Sequence, residues 1–156
     1  MTGGASSALT GAVGPTRKAM RLRDFDYSSD GAYFITILSY RRRPVLTGEC
    51  LAIIERELDD LPQRFDGVTI DCFAVLPDHL HALLRLKGSS AHVSAIVQAF
   101  KSLTARAVKP ILYVDRLWHR GFYDRIVRDD LELIAIRDYI LNNVTIHDQR
   151  RPQPHL

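Results

Sequence analysis

The chain has 156 residues, 46% of them hydrophobic and 25% charged, proportions that fit one globular domain with room for a core. It has no apolar run of about 18 residues to span a membrane. Its start lacks the basic-then-apolar order of a signal peptide, and its two cysteines, without metal-type spacing, fit a reducing, cytoplasmic setting. The net charge of +3 permits a nucleic-acid partner without requiring one.

Residues 1–20, rich in Gly, Ala, Ser and Thr, read as a disordered leader, with order beginning near Arg21-Leu22-Arg23-Asp24-Phe25. The turn signal Asp30-Gly31 precedes a β-branched and aromatic strand, Tyr33 to Leu38. Arg41-Arg42-Arg43-Pro44 breaks it. Thr47 is placed to cap a helix carrying Leu51, Ile54, Leu58 and Leu61 on one stripe, and Pro62 is expected to end it. After Asp66-Gly67, Val68 to Leu76 reads as a second strand. Pro77-Asp78 separates it from a third, His79 to Leu86, and the short connection predicts an antiparallel hairpin. One face of the third strand carries His79, His81, Leu83 and Arg85, and the other carries Leu80, Ala82, Leu84 and Leu86. Gly88-Ser89-Ser90 opens a long helix to about Val108, with Val93, Ile96, Val97, Phe100, Thr104 and Ala107 inward. Pro110 ends it, and a linker with Trp118 and Gly121 leads to a short strand, Phe122 to Val127. Asp129 caps a final helix with Glu132 as its capping-box partner and Leu133, Ile136, Ile140, Leu141 and Val144 inward. Asp148 to Leu156 reads as an irregular tail. The order strand, helix, strand, strand, helix, strand, helix predicts an α+β sandwich. In it an antiparallel sheet carries packed helices, close to the ferredoxin-like split βαβ arrangement. A single catalytic domain would occupy residues 21–147.

Within that frame, His79 and His81 point the same way from one strand, as a pair able to hold a divalent cation would. Tyr139 and Asn143 lie one helical turn apart on one face. Each feature has a plain reading: half-buried histidines bonded to backbone, a tyrosine packed at the edge of an apolar stripe, an asparagine capping a helix end. They gain chemical meaning together, if the final helix packs over the third strand. The site would then join a metal, an oxygen ligand and a phenol, and would suit phosphodiester chemistry with a tyrosine nucleophile. Basic residues gather at Arg41, Arg42 and Arg43, at Lys101 and Arg106, and from Arg116 to Arg128, including Arg120 and Arg125. They are either a solvated surface or the lining of a nucleic-acid groove. Trp118, Phe122 and Tyr123 are candidates for stacking on bases, with burial at least as good a reading for Trp118.

Several segments carry a family resemblance. Leu76-Pro77-Asp78-His79-Leu80-His81 resembles the histidine segment of the HUH single-strand DNA transposases with one tyrosine, and the nearest group is the REP-associated tyrosine transposases. Asp26-Tyr27-Ser28 with Gly31 to Thr36, then Phe100-Lys101-Ser102, Trp118 to Asp124, Ile126 to Asp129 and Ile136 to Asn143 are similar to the family's other ordered segments. The likeness spans about residues 21–147. It implies that His79, His81 and Asn143 are metal ligands for Mg²⁺ or Mn²⁺. It implies that Tyr139 is the nucleophile that becomes joined to a 5′ phosphate, and that single-stranded or hairpin DNA is the partner. The basic set Arg41, Arg42, Arg43, Lys101, Arg106, Arg120 and Arg125 would then contact DNA. Some relatives are homodimers in which the final helix completes the partner's site, so cis and trans sites both remain open. Two departures stand out: Asn143 is followed by Val144 where many members have Pro, and His119 stands where Gln is usual. A non-catalytic nucleic-acid-binding module and a metal-dependent RNA nuclease using water are the rival readings.

Overall fold

The computed structural model describes residues 30–150, with side-chain surroundings through Asn143. The expected leader, residues 21–29 and residues 151–156 lie outside the described residues. The elements are β1 (Gly31–Leu38), a short 3-10 turn (Tyr40–Arg42), α1 (Gly48–Arg64), β2 (Val68–Leu76), β3 (His79–Leu86), α2 (Val93–Val108), β4 (Tyr123–Val127) and α3 (Asp130–Arg150). The strands form one sheet in the order β2-β3-β1-β4, each neighbour antiparallel, so the α+β, ferredoxin-like expectation holds.

Alternation along β1 and β3 divides the core between the two faces of the sheet. Tyr33, Ile35, Ile37, Leu80, Ala82, Leu84 and Leu86 pack with residues of α1 and α2 such as Ile54, Leu58, Ile96 and Phe100. Ala32, Phe34, Ala74 and Leu83 pack instead with Ile136 and Ile140 of α3. Burial of each of those isoleucines contributes about 1.5–3 kcal/mol, which is enough to fix α3 over the His79–His81 face. β2 also lines both cores, and a bulge between Ile70 and Cys72 switches which of its positions face which. Ile70 packs towards α1 and α2 and Cys72 towards α3, the change of face that one extra residue produces. At the turn before β2, Gly67 has φ of 78°, and an added Cβ would strike the Lys87 carbonyl oxygen.

The structure corrects the ends of three helices and two buried positions. α1 continues past Pro62 to Arg64. Proline this close to a helix end removes only one hydrogen bond, and buried Leu58 and Leu61 hold the turn in place. α2 begins at Val93 rather than at Gly88, because the Ser89 hydroxyl accepts from the Ala91 N–H and closes a turn of its own. Its buried stripe ends on Val108, and Ala107 is only half buried. Leu141 is 54% exposed rather than inward; Val144 lies beyond the described side chains. α3 also runs on through Asp148 to Arg150, where the sequence suggests an irregular tail. At its start Asp129 caps as expected, accepting from the Glu132 N–H at 2.8 Å. The Glu132 carboxylate does not complete the box: it takes the Arg128 N–H and the Arg125 guanidinium instead. No described helix is long and apolar enough to cross a membrane.

Candidate active site

β3 presents His79 and His81 side by side, their ring centroids 4.9 Å apart. His81 is 1% exposed. Antiparallel pairing sets it directly across from Thr36, whose hydroxyl shares a 2.8 Å hydrogen bond with His81 Nδ1. The opposite nitrogen, Nε2, is buried and has no hydrogen-bond partner. Burial, and then the charge of His79, push the His81 pKa down to about 3. The ring is therefore neutral near pH 7 and keeps a lone pair. His79 Nδ1 meets Asp78 Oδ1 at 2.7 Å, and Asp78 Oδ2 accepts two hydrogen bonds from Arg42, at 2.9 and 3.2 Å. Burial works against ionisation of Asp78, but the His79 hydrogen bond and the charges of His79 and Arg42 outweigh it and hold the carboxyl below its usual range.

This arrangement fits a divalent cation on two counts. Each imidazole has Nδ1 held by an oxygen partner, which orients the ring; for His79 that partner is a carboxylate, which only accepts and so selects the tautomer that offers Nε2. The orphaned His81 Nε2 is also a buried polar atom without another explanation. Among the described residues no group of three or more His, Cys, Asp or Glu side chains could hold a metal, so a third ligand from these residues would be of another type. Asn143 is such a side chain. Its Nδ2 donates to the Tyr139 carbonyl at 2.8 Å, leaving Oδ1 as the remaining acceptor. No hydrogen bond links it to either imidazole among the described residues.

Tyr139 does reach His81. Its ring lies 5.3 Å from that of His81, edge-on, and 6.1 Å from Phe34, while Phe34 is 5.4 Å from His81. Phe34 and Thr36 are therefore site residues that the sequence reading passed over. The alternation of β1 placed both on one face, but only the β1–β3 register shows that this is the face of His81. Tyr123 shares that face, since it pairs with Thr36 from the other side. Tyr113 is 99% exposed.

α3 is held to the sheet by charge as well as by its isoleucines. Arg137, one half-turn before Tyr139, donates to both carboxylate oxygens of Asp71 at 2.6 and 2.8 Å, and Arg85 adds a third bond at 3.1 Å. The Arg137 hydrogen bond is the main cause holding the Asp71 carboxyl below its usual range.

The basic set is less uniform than its sequence suggests. Arg42 is paired with Asp78 and Arg125 with Glu132. Lys101 donates to the carbonyls of His119 and Gly121 at 2.9 and 3.0 Å, bracing that loop. Arg41, Arg43, Arg106 and Arg120 are exposed. Trp118 is not available to stack on a base: it is 5% exposed, packs on Phe100 and donates from Nε1 to Thr104 Oγ1 at 2.8 Å.

Four antiparallel strands with helices on both faces make an α+β fold, and His79, His81 and Tyr139 come together on one of those faces. The chain belongs to the family described as "Transposase IS200 like", whose family model matches residues 28–143. Among its relatives is an uncharacterised protein of Haemophilus influenzae, 27% identical, the alignment covering 85% of this chain and 91% of the relative. Another is a provisionally named REP-associated tyrosine transposase of the same organism, also 27% identical, with 78% and 74% covered. Among solved structures, a REP-associated tyrosine transposase bound to a REP hairpin superimposes with a TM-score of 0.66 at 21% identity, covering 82% of this chain and 74% of that one. A provisionally named transposase from Deinococcus radiodurans R1 gives 0.56 at 20% identity, covering 79% and 96%. At those identities the structural likeness establishes the fold.

Proposed function

We propose that the protein nicks single-stranded DNA beside a hairpin and rejoins strands through a covalent tyrosine intermediate. The contact of Tyr139 with His81, whose Nε2 is buried and unpartnered, is the observation that carries this reading. His79 and His81 would hold a divalent cation, Mg²⁺ or Mn²⁺, with Asn143 Oδ1 as the third protein ligand. When bound, the cation supplies Lewis-acid polarisation of the scissile phosphate. Thr36 and Asp78 fix the two rings, and Phe34 packs the side of the site away from solvent.

The Tyr139 oxygen, once it has given up its proton, attacks phosphorus. A tyrosine–phosphate bond forms at the 5′ side of the break, the bond to the 3′ oxygen breaks, and that oxygen leaves as a 3′-hydroxyl after taking a proton. A second 3′-hydroxyl then attacks the phosphotyrosine and releases Tyr139. The number of phosphoester bonds is unchanged, so no nucleoside triphosphate is needed. The ordinary phenol pKa near 10 means that Tyr139 requires activation at neutral pH. A relative of the same fold is bound to a REP hairpin, which supports hairpin DNA as the substrate class here.

Replacing both His79 and His81 with Ala tests the metal assignment. Cleavage of labelled single-stranded DNA in Mn²⁺ should be lost while circular dichroism shows a folded chain. Cleavage that continues unchanged would refute the assignment. The rival nuclease reading, in which water attacks, predicts cleavage without a protein–DNA adduct.

A further inference from the structure

The turn after β1 holds a second feature that the nicking chemistry does not use. Arg41 and Arg42 have φ of 55° and 54° and are the non-glycine residues with positive φ among those described. L residues adopt that conformation rarely and at a cost. Arg42 has an evident return in its bond to Asp78. Arg41 has no such bond to a carboxylate among the described residues. Its guanidinium instead stands 5.2 Å from the centroid of the Tyr40 ring, and the Arg116 guanidinium stands 5.6 Å from the same centroid. Neither arginine forms an ion pair among the described residues. Two exposed cations beside one phenol make a positive patch that attracts an anion.

The backbone brings this cluster close to the histidines. Ser39 N–H donates to the Asp78 carbonyl at 3.0 Å and Tyr40 N–H to the Leu117 carbonyl at 2.9 Å, while Leu38 pairs with His79. The cluster is thus one ion pair removed from the site, through Arg42, Asp78 and His79. Building on the nicking function proposed above, we infer that Arg41 and Arg116, set in place on the Tyr40 ring, clamp a backbone phosphate of the single-stranded flank of the DNA. The clamp holds the strand that runs on from the scissile phosphate, while the duplex part of the hairpin lies elsewhere.

The test is fluorescence anisotropy in EDTA, so that no cleavage occurs, with a labelled hairpin carrying a single-stranded flank and the same hairpin blunt-ended. The double variant Arg41→Gln, Arg116→Gln should bind the flanked hairpin at least about tenfold more weakly at near-physiological salt and the blunt one as before. Its log–log salt slope should be shallower by about 0.7, one phosphate contact on a single strand. Arg56→Gln, an exposed charge on α1, should change neither. Arg41→Gly, which relieves the backbone, should keep the fold and still lose flank affinity. Tyr40→Phe should preserve affinity and Tyr40→Leu should lower it. Equal losses on both DNAs, or no loss beyond that of Arg56→Gln, would overturn the clamp. If the unaltered protein forms its Tyr139 adduct while the double variant keeps full flank affinity, the clamp alone fails. If the unaltered protein forms no adduct in Mn²⁺, the nicking function fails instead.

Discussion

Replacing Thr36 with Val should weaken both the fold and the metal site, because one hydroxyl serves both. Valine matches threonine in shape but has no oxygen. Thr36 and His81 are each 1% exposed, and their 2.8 Å bond is the hydrogen bond that His81 makes. With Nε2 already unpartnered, the variant would leave both ring nitrogens orphaned in a buried site. An unmet buried polar group costs about 1–3 kcal/mol. A loss of about 2 kcal/mol corresponds to a Tm drop of roughly 4–8 °C for a chain of this size. The ring would also be free to rotate and to change tautomer, and the loss of such an outer partner typically weakens metal affinity by roughly 10- to 100-fold. Urea unfolding in EDTA measures the first effect and Mn²⁺ titration calorimetry the second. Thr36→Ser, which keeps the oxygen, should retain most of the metal affinity. If Thr36→Val unfolds at the parent's urea concentration and binds Mn²⁺ with the parent's affinity, the role assigned to Thr36 is wrong.

Three further outcomes follow from the same geometry. In metal-free protein, His81 is neutral down to about pH 3 when folded but gains a proton near pH 6.5 when unfolded. Acid therefore favours the unfolded chain, and stability should fall from pH 6.5 downward by about 1.4 kcal/mol per pH unit, reaching about 2 kcal/mol at pH 5. Urea midpoints across that range check it, and the slope should vanish in His81→Gln. Asp71→Asn should loosen α3 by removing a carboxylate shared by Arg137 and Arg85; we expect a lower urea midpoint and faster amide hydrogen exchange in α3 than in α2. Trp118→Phe should cost about 1–3 kcal/mol, from the lost bond to Thr104 and reduced packing on Phe100, with affinity for single-stranded DNA unchanged. A large loss of DNA affinity would mean that Trp118 leaves the core to stack on bases.

The sequence made the strands and the two imidazoles legible because they depend on alternation, a local property. His79 and His81 share a face whatever surrounds them. The apolar stripe around Ile136 and Ile140 likewise marked α3 as a packed helix. What was hidden depends on pairing between distant segments. Thr36 becomes a partner of His81 only through a β1–β3 register linking positions 45 residues apart, and Asp71 meets Arg137 across 66 residues, from beside a bulge that no local pattern announces. Pro62 misled for the opposite reason: the local rule is sound, but tertiary packing of Leu58 and Leu61 overrode it. Charge alone also does not show which arginines already have a carboxylate, as Arg42 and Arg125 do.

The central claim is that Tyr139 is the nucleophile, and the most direct measurement is mass spectrometry of the peptide linked to DNA after reaction with a labelled hairpin and flank in Mn²⁺. The account predicts a phosphotyrosine at Tyr139, and no adduct from Tyr139→Phe, which should still bind the DNA as tightly as the parent. Tyr123 is the most informative rival, because its pairing with Thr36 places it on the same face of the sheet. An adduct at Tyr123 or Tyr113, or sustained cleavage with no adduct, would contradict the account.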